Sequence, residues 1–393
     1  MKICDVTQFY SPRSGGVKRY LHEKIAYVQR HSPGDEHVLI VPGPRSEMLE
    51  SERARIYTIA APMVSRATQY RALLNLRSVE EIIEREQPEI IENADPYQLG
   101  WGISRIAKRR RTPAVAFYHS DFAEAYLRPI TTALGERFTA TGMRAAASYT
   151  RALYNRFEAT FVASEPLAVH LRAIGVQDVH VSPLGVDTDI FNPAPYDAAA
   201  TRAAHNIPAD RTVLLYVGRL APEKNTRTLF EAFALLTARD AGAFHLIVVG
   251  DGQQREQLRE LEATTGAVTW LPYCAGSAEL AQLYRLADLF VHPGTQETFG
   301  LAALESQACG TPVVGIRGSA MDRIILHDQE AWATEAIPAA LAAAIERITR
   351  TDFAALGASA AVAVAERYAW PRVFDGLFRV YREVCRGYRA TGG

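Results

Sequence analysis

The sequence predicts two doubly wound α/β domains joined by a hinge. Three observations carry this reading. Short apolar runs alternate with helix-period segments in the first half, and the alternation restarts after a proline-punctuated stretch. The 393-residue length also suits two domains of ordinary size. Parallel strands are covered by helices on both faces, so they read as continuous apolar runs rather than as alternating ones.

Lys2 to Val6 is the first such run, and Gly15-Gly16 opens a helix over Val17 to Gln29. His37 to Val41 is a second strand. Leu73, Leu76, Val79, Ile82 and Ile83 recur at helical spacing, which predicts a helix from Leu73 to Glu86. Glu89–Glu92, Ala114–Phe117 and Thr160–Ala163 read as buried strands. Pro183, Asn192, Pro193, Pro195 and Pro208 punctuate Leu184 to Asp210 and mark the hinge. Then come strand Val213–Val217, helix Asn225–Leu236, strand His245–Val249, helix Gln253–Glu262, strand Val268–Leu271, helix Ser277–Leu286 and strand Leu289–Val291. A helix from Phe299 to Ala308 is stopped by Gly310 and Pro312, and Pro312–Gly315 begins another strand. Ile337 to Cys385 is helical, broken near Trp370-Pro371. The expected domains are 1–190, 191–368 and a C-terminal helix at 369–393.

Bulk properties exclude several classes. A formal net charge of −1 gives no global attraction to nucleic acid. No apolar run reaches the roughly 18 residues needed to span a bilayer. Met1-Lys-Ile-Cys-Asp-Val enters a strand at once and has no leader pattern. Cys4, Cys274, Cys309 and Cys385 are scattered, without C-x-x-C, and read as reduced thiols of a cytoplasmic protein.

The most informative segment is His292 to Val314, which holds Glu297 in a loop after a strand and Glu305 in the following helix. Such a loop is where open α/β sheets bind anions and nucleotides. A helix rises about 1.5 Å per residue, so the two carboxylates spread along an extended ligand. Arg219 and Lys224 share the loop Gly218–Asn225, where a guanidinium fork and a point charge suit a diphosphate; a plain solvated loop is the rival. Gly15-Gly16 reads equally as a phosphate-binding turn or a simple one, and Gly250-Asp251-Gly252 equally as a nucleoside seat or a tight turn. His119, just past a strand, is either a cleft residue or a structural one. Asp187-Thr-Asp189 has the D-x-D form that holds Mg²⁺ or Mn²⁺, but it lies in the hinge and not at the end of a nucleotide-binding strand, so no metal and no cofactor is expected. Lys108-Arg-Arg-Arg111 and the basic excess of Gly100 to Arg172 fit an anionic membrane surface or ordinary surface charge.

Taken together, these segments resemble the retaining GT-B glycosyltransferases, the bacterial nucleotide-sugar-dependent mannosyl-, glucosyl- and related transferases. The resemblance rests on Ser14-Gly-Gly-Val17, His119, Pro183-Leu-Gly-Val-Asp187, Gly218-Arg219 with Lys224, Gly250-Asp-Gly252, and Glu297-Thr-Phe-Gly-Leu with Glu305. It implies two Rossmann-like domains facing across a cleft, with the C-terminal helix crossing back to the first. It implies that Glu305 accepts from the ribose hydroxyls and that Glu297 faces the donor sugar. The Thr298, Phe299, Gly300 and Leu301 amides would lie near sugar and phosphate. Arg219 and Lys224 would hold the diphosphate, Gly16 would let backbone reach the phosphate, and His119 would contact the donor sugar. Tyr273 and Cys274 would lie by the base. The partners so implied are a nucleotide-sugar donor and an acceptor hydroxyl, of a lipid or a cell-envelope glycan. The sequence departs from the family after Val314, where Arg317-Gly-Ser-Ala-Met-Asp322 replaces a Gly-Gly turn and a longer loop. A sugar-nucleotide epimerase, a phosphorylase and a non-catalytic sugar-nucleotide sensor are the rival readings.

Overall fold

A computed structural model describes the chain apart from residues 12–15, 65–68, 120–122, 124–126, 133–134, 273, 275, 296, 298, 328–331 and 391–393. Two sheets organise it. The first has eight strands: β1 (Lys2–Val6), β2 (Glu36–Gly43), β3 (Glu47–Glu50), β4 (Ala54–Ala60), β5 (Ile90–Asn93), β6 (Ala114–Tyr118), β7 (Ala159–Val162) and β8 (Val179–Val181). Their order is β3-β4-β2-β1-β5-β6-β7-β8, parallel except for the β3–β4 pair. The second has five: β9 (Thr212–Val217), β10 (Phe244–Val249), β11 (Val268–Leu271), β12 (Leu289–His292) and β13 (Val313–Gly315), in order β11-β10-β9-β12-β13, all parallel. The expected fold class is the observed one, and the apolar runs explain it. All six residues of β10 are buried, as a parallel strand covered on both faces demands.

The chain forms two compact units: Met1–Leu184 with Trp370–Gly393, and Gly185–Ala369. The divide falls ahead of the expected boundary at 190, because residues 185–191 pack with the second unit. The Val186 N–H donates to the Tyr368 carbonyl at 2.7 Å, Phe191 is buried beside Tyr284, and Arg285 donates to the Ile190 and Asn192 carbonyls. Asp187 accepts the backbone N–H groups of Asp189 and Ile190, so its carboxylate serves the turn.

Element ends follow capping chemistry. The helix expected from Leu73 runs from Leu76 to Glu86, because the Asn75 side chain accepts the Ser78 N–H and so starts the helix after it. The helix expected from Phe299 runs from Leu301 to Ala308, because Gly300 has φ 92°, a left-handed conformation outside the helix. Strands β3, β4 and β8 were not expected. Every residue of β3 is exposed and β8 is three residues long, so neither carries an apolar run.

The C-terminal helix Trp370–Ala390 belongs to the first unit. Trp370, Val373, Phe374, Leu377, Phe378, Tyr381 and Cys385 make its buried stripe at spacings of three and four. Phe378 stands edge-on to Tyr27 of helix Gly16–His31, with ring centroids 5.1 Å apart. Beneath this contact lies a closed polar cluster. Lys24 Nζ lies 3.0 Å from Asp5 and 3.2 Å from Glu92, and Tyr381 donates to Glu92. Lys24, Asp5 and Glu92 are all buried, and His37 Nε2, 2.8 Å from Asp5, joins Lys24 and Tyr381 as a partner of the two carboxylates.

Candidate active site

The order of the second sheet places its switch point between β9 and β12, where the connections leave toward opposite edges. The loops after these two strands therefore meet at their carboxyl ends. The loop after β9 turns through Pro222–Lys224, and Asn225 follows at φ 54°. Asn225 Nδ2 donates to the Pro293 carbonyl at 2.9 Å and ties this loop to the one after β12. Across that tie, Lys224 Nζ lies 2.6 Å from Glu297 Oε2. His292, the last residue of β12, places Nε2 3.6 Å from the same oxygen. Burial on its own would raise the Glu297 carboxyl; His292 and Lys224 outweigh it and hold the group at about 2. Glu297 is thus an anion held by Lys224 with His292 beside it, unavailable as a proton donor near neutral pH.

Glu305 sits in helix Leu301–Ala308, buried, and accepts a hydrogen bond from Tyr284 Oη at 3.1 Å. Tyr284 comes from helix Ser277–Leu286 and is itself fully buried. Phe299 is buried edge-on to Tyr368, and Leu301 begins the helix whose first N–H groups face the loop. A Cβ at Gly300 would stand 2.5 Å from Met321 Cε, so the turn before Leu301 is closely packed.

Gly250 and Gly252 lie beside the β9 loop. A Cβ at Gly250 would come within 2.0 Å of the Gly218 carbonyl oxygen, and one at Gly252 within 2.3 Å of that of Leu220. The Gly218 N–H donates to Val249 O and the Leu220 N–H to Asp251 O, so two loop backbones run in direct contact. Arg219 does not join the Lys224–Glu297 pair. Its side chain is 71% exposed and pairs with Glu223 at 3.0 Å. An exposed pair of this kind is worth about 0–1 kcal/mol, so the guanidinium is readily released to a stronger anion. Cys274 is half-buried, its Sγ donating to the Gly276 carbonyl. Tyr273 and Thr298 lie outside the described residues. The atypical loop closes on itself, Ser319 Oγ donating to Ile316 O and Gly318 N–H to Asp322.

Two candidates belong to the first unit. Gly16 is the exposed first residue of helix Gly16–His31, and a Cβ there would meet no described atom within 4 Å. Packing within the unit therefore does not require glycine. His119 follows β6, its ring stacked on Phe117 at 4.2 Å and 5.4 Å from Tyr20. Burial, with the Lys24 charge behind it, depresses its pKa to about 3, so the ring is neutral at pH 7. Its Nε2 is buried with no hydrogen-bond partner among the described residues.

The descriptions "Glycosyl transferases group 1" and "Glycosyltransferase Family 4" match residues 197–355 and 14–190. A GDP-mannose-dependent alpha-mannosyltransferase of Corynebacterium glutamicum is 30% identical, over 82% of this chain and 74% of its own. A GDP-mannose-dependent alpha-(1-6)-phosphatidylinositol dimannoside mannosyltransferase of Mycobacterium tuberculosis is 31% identical, over 88% of this chain and 87% of its own. The chain belongs to the GT-B nucleotide-sugar glycosyltransferases. Solved structures agree on the fold. Sucrose-phosphate synthase of Thermosynechococcus elongatus superposes with TM-score 0.74 at 21% identity, covering 98% of this chain and 99% of that one. An Anabaena protein solved with UDP and glucose gives 0.71 at 18%, covering 98% and 100%.

In this glycosyltransferase the two glutamates of the family motif each have a side-chain partner that motif reading missed: His292 for Glu297 and Tyr284 for Glu305. His292 carried a usable signal, a histidine ending an apolar strand directly before the Pro293-Gly294 turn. Tyr284 carried none, since its register on its helix reads as core. A groove of about 650 Å³ between helices Thr226–Arg239 and Arg255–Thr265, lined by Phe230, Ala234 and Leu261, contains none of the motif residues.

Proposed function

We propose that this glycosyltransferase moves a mannosyl group from GDP-mannose to an acceptor hydroxyl, with retention of anomeric configuration and without a metal ion. The observation that carries the choice of donor is the pair of GDP-mannose-dependent relatives at 30–31% identity across more than four-fifths of the chain. The switch-point geometry supports a donor site built on the second unit. Lys224 and Arg219 neutralise the diphosphate, Glu297 orients the sugar, Glu305 takes the ribose hydroxyls, and the amides around Phe299, Gly300 and Leu301 face the phosphate. His119 and Gly16 are assigned to donor binding on the family motif alone. In the transfer the bond from C1 to the phosphate oxygen breaks and the acceptor oxygen bonds to C1. The electron pair leaves with the diphosphate, and a departing phosphate oxygen takes the acceptor proton. Cations and helix-terminal amides stabilise the negative charge that develops on the leaving group.

The acceptor belongs to a lipid or lipid-linked glycan met at an anionic surface. A relative named for a phosphatidylinositol dimannoside supports this, as does the face of helix Glu136–Tyr154. Arg137, Arg144 and Arg151 repeat every seven residues along that helix, all exposed, and among the described residues none is paired with a carboxylate. By contrast, Arg109 and Arg110 of the Lys108–Arg111 run are paired with Glu80 and Glu84.

A thermal-shift series with GDP-mannose, UDP-glucose and ADP-glucose tests the donor. GDP-mannose at about 100 times its Kd should stabilise the native state by roughly 2.7 kcal/mol, while the other two leave the transition unmoved. A shift with UDP-glucose alone rejects the assignment. The anomeric coupling of the product, read by NMR, tests retention, and an unchanged rate in EDTA tests metal independence.

A further inference from the structure

Glu297 has one close partner and one held in reserve. Lys224 Nζ is 2.6 Å from Oε2, and His292 Nε2 is 3.6 Å from the same atom. That second separation is about 0.7 Å beyond a normal N–H···O contact, within reach of a small side-chain rotation. His292 is buried, and its Nδ1 has no partner among the described residues. Its ring is also confined. A Cβ at Gly294 would stand 3.1 Å from His292 Cε1 and 3.6 Å from the Lys224 carbonyl oxygen, so glycine at 294 leaves room for both.

We propose that His292 is a positioning residue that takes over Glu297 when Lys224 turns to the donor diphosphate. The proposal rests on the reading of Lys224 and Glu297 as donor-site residues. A diphosphate concentrates more negative charge than a single carboxylate, so it competes for the ammonium, which is a flexible point charge with three donors. Without a second donor, that exchange would leave Glu297, largely enclosed, without a partner. His292 supplies the donor from a rigid strand end, so donor binding leaves Glu297 aimed where Lys224 had held it.

The test is a double-mutant cycle read by calorimetric titration of GDP-mannose. The proteins are wild type, His292→Leu, Glu297→Gln and the double variant, with His292→Gln as the conservative replacement that keeps an N–H donor. His292→Leu should weaken GDP-mannose binding about five-fold, the worth of one hydrogen bond, and His292→Gln should restore most of it. In the Glu297→Gln background the same substitution should change Kd by no more than about two-fold, because an N–H bond to a neutral amide is worth about half of one to a carboxylate. Equal losses in both backgrounds, or no loss in the wild type, overturn the proposal. Lys224→Ala separates the two levels of inference. If it leaves GDP-mannose affinity unchanged, the donor-site reading itself fails; if it weakens binding while His292→Leu is silent, only the role of His292 fails.

Discussion

Lys224 and Glu297 are 73 residues apart in the chain and 2.6 Å apart in space. Each explains the other: a lysine at the rim of a loop is ordinary, but one that neutralises an enclosed carboxylate at a sheet switch point is poised for anion chemistry. Lys224→Ala should reduce turnover at saturating GDP-mannose by about 10²-fold, the usual scale for losing one charge contact to a leaving group. Because His292 stays beside Glu297, the melting temperature should fall by no more than about 5 °C. Initial rates and scanning calorimetry check both statements, and near-normal turnover would remove Lys224 from the mechanism. Both partners were legible as residue types in the motif. Their contact was not, since it depends on which strands neighbour β9 and β12. Arg219 marks the opposite case: the same loop predicts it beside Lys224, yet it pairs outward with Glu223.

Elements set the site through backbone contact. The turn Gly250–Gly252 lies directly on Gly218–Leu220, close enough that a Cβ at Gly250 or Gly252 would meet a carbonyl oxygen. Gly250→Ala should therefore lose roughly 1–3 kcal/mol, the range for forced overpacking, and about 3–10 °C in melting temperature. Gly16→Ala should leave the melting temperature within about 1 °C, since no described atom lies within 4 Å of a Cβ there, while lowering donor affinity. Paired melting and titration data decide whether Gly16 serves binding; an unchanged affinity would make it a plain helix start. The sequence marks all these positions as glycine turns alike. Only the packed loops separate a glycine needed for close approach from one that packing leaves free.

At the scale of the molecule, each unit carries its own core. The first encloses Lys24, Asp5 and Glu92 beneath the C-terminal helix, and outside it presents the arginine stripe of helix Glu136–Tyr154. At about 1.5 Å per residue the three arginines span about 21 Å, with Phe138 exposed at the first turn. The full chain should co-sediment with vesicles containing phosphatidylglycerol or phosphatidylinositol at low salt, and not with phosphatidylcholine alone. Replacing Arg137, Arg144 and Arg151 by Gln should abolish most of that binding, at about 1 kcal/mol per charge. Equal binding by the triple variant would clear this face of the role.

The sequence by itself determined the alternation of strands and helices, the two Rossmann-like domains and the family motif, because buried parallel strands and capped helices are written in local runs of residues. Residues 73–75 and 299–300 show its limit within an element, where one cap or one left-handed glycine moves a helix start. Only the tertiary structure decided that His292 stands by Glu297, that Tyr284 holds Glu305, and that Arg109 and Arg110 are neutralised by Glu80 and Glu84. Each of these joins side chains from separate segments of the chain. Strand order and helix packing bring them within hydrogen-bonding distance, and no local periodicity records that.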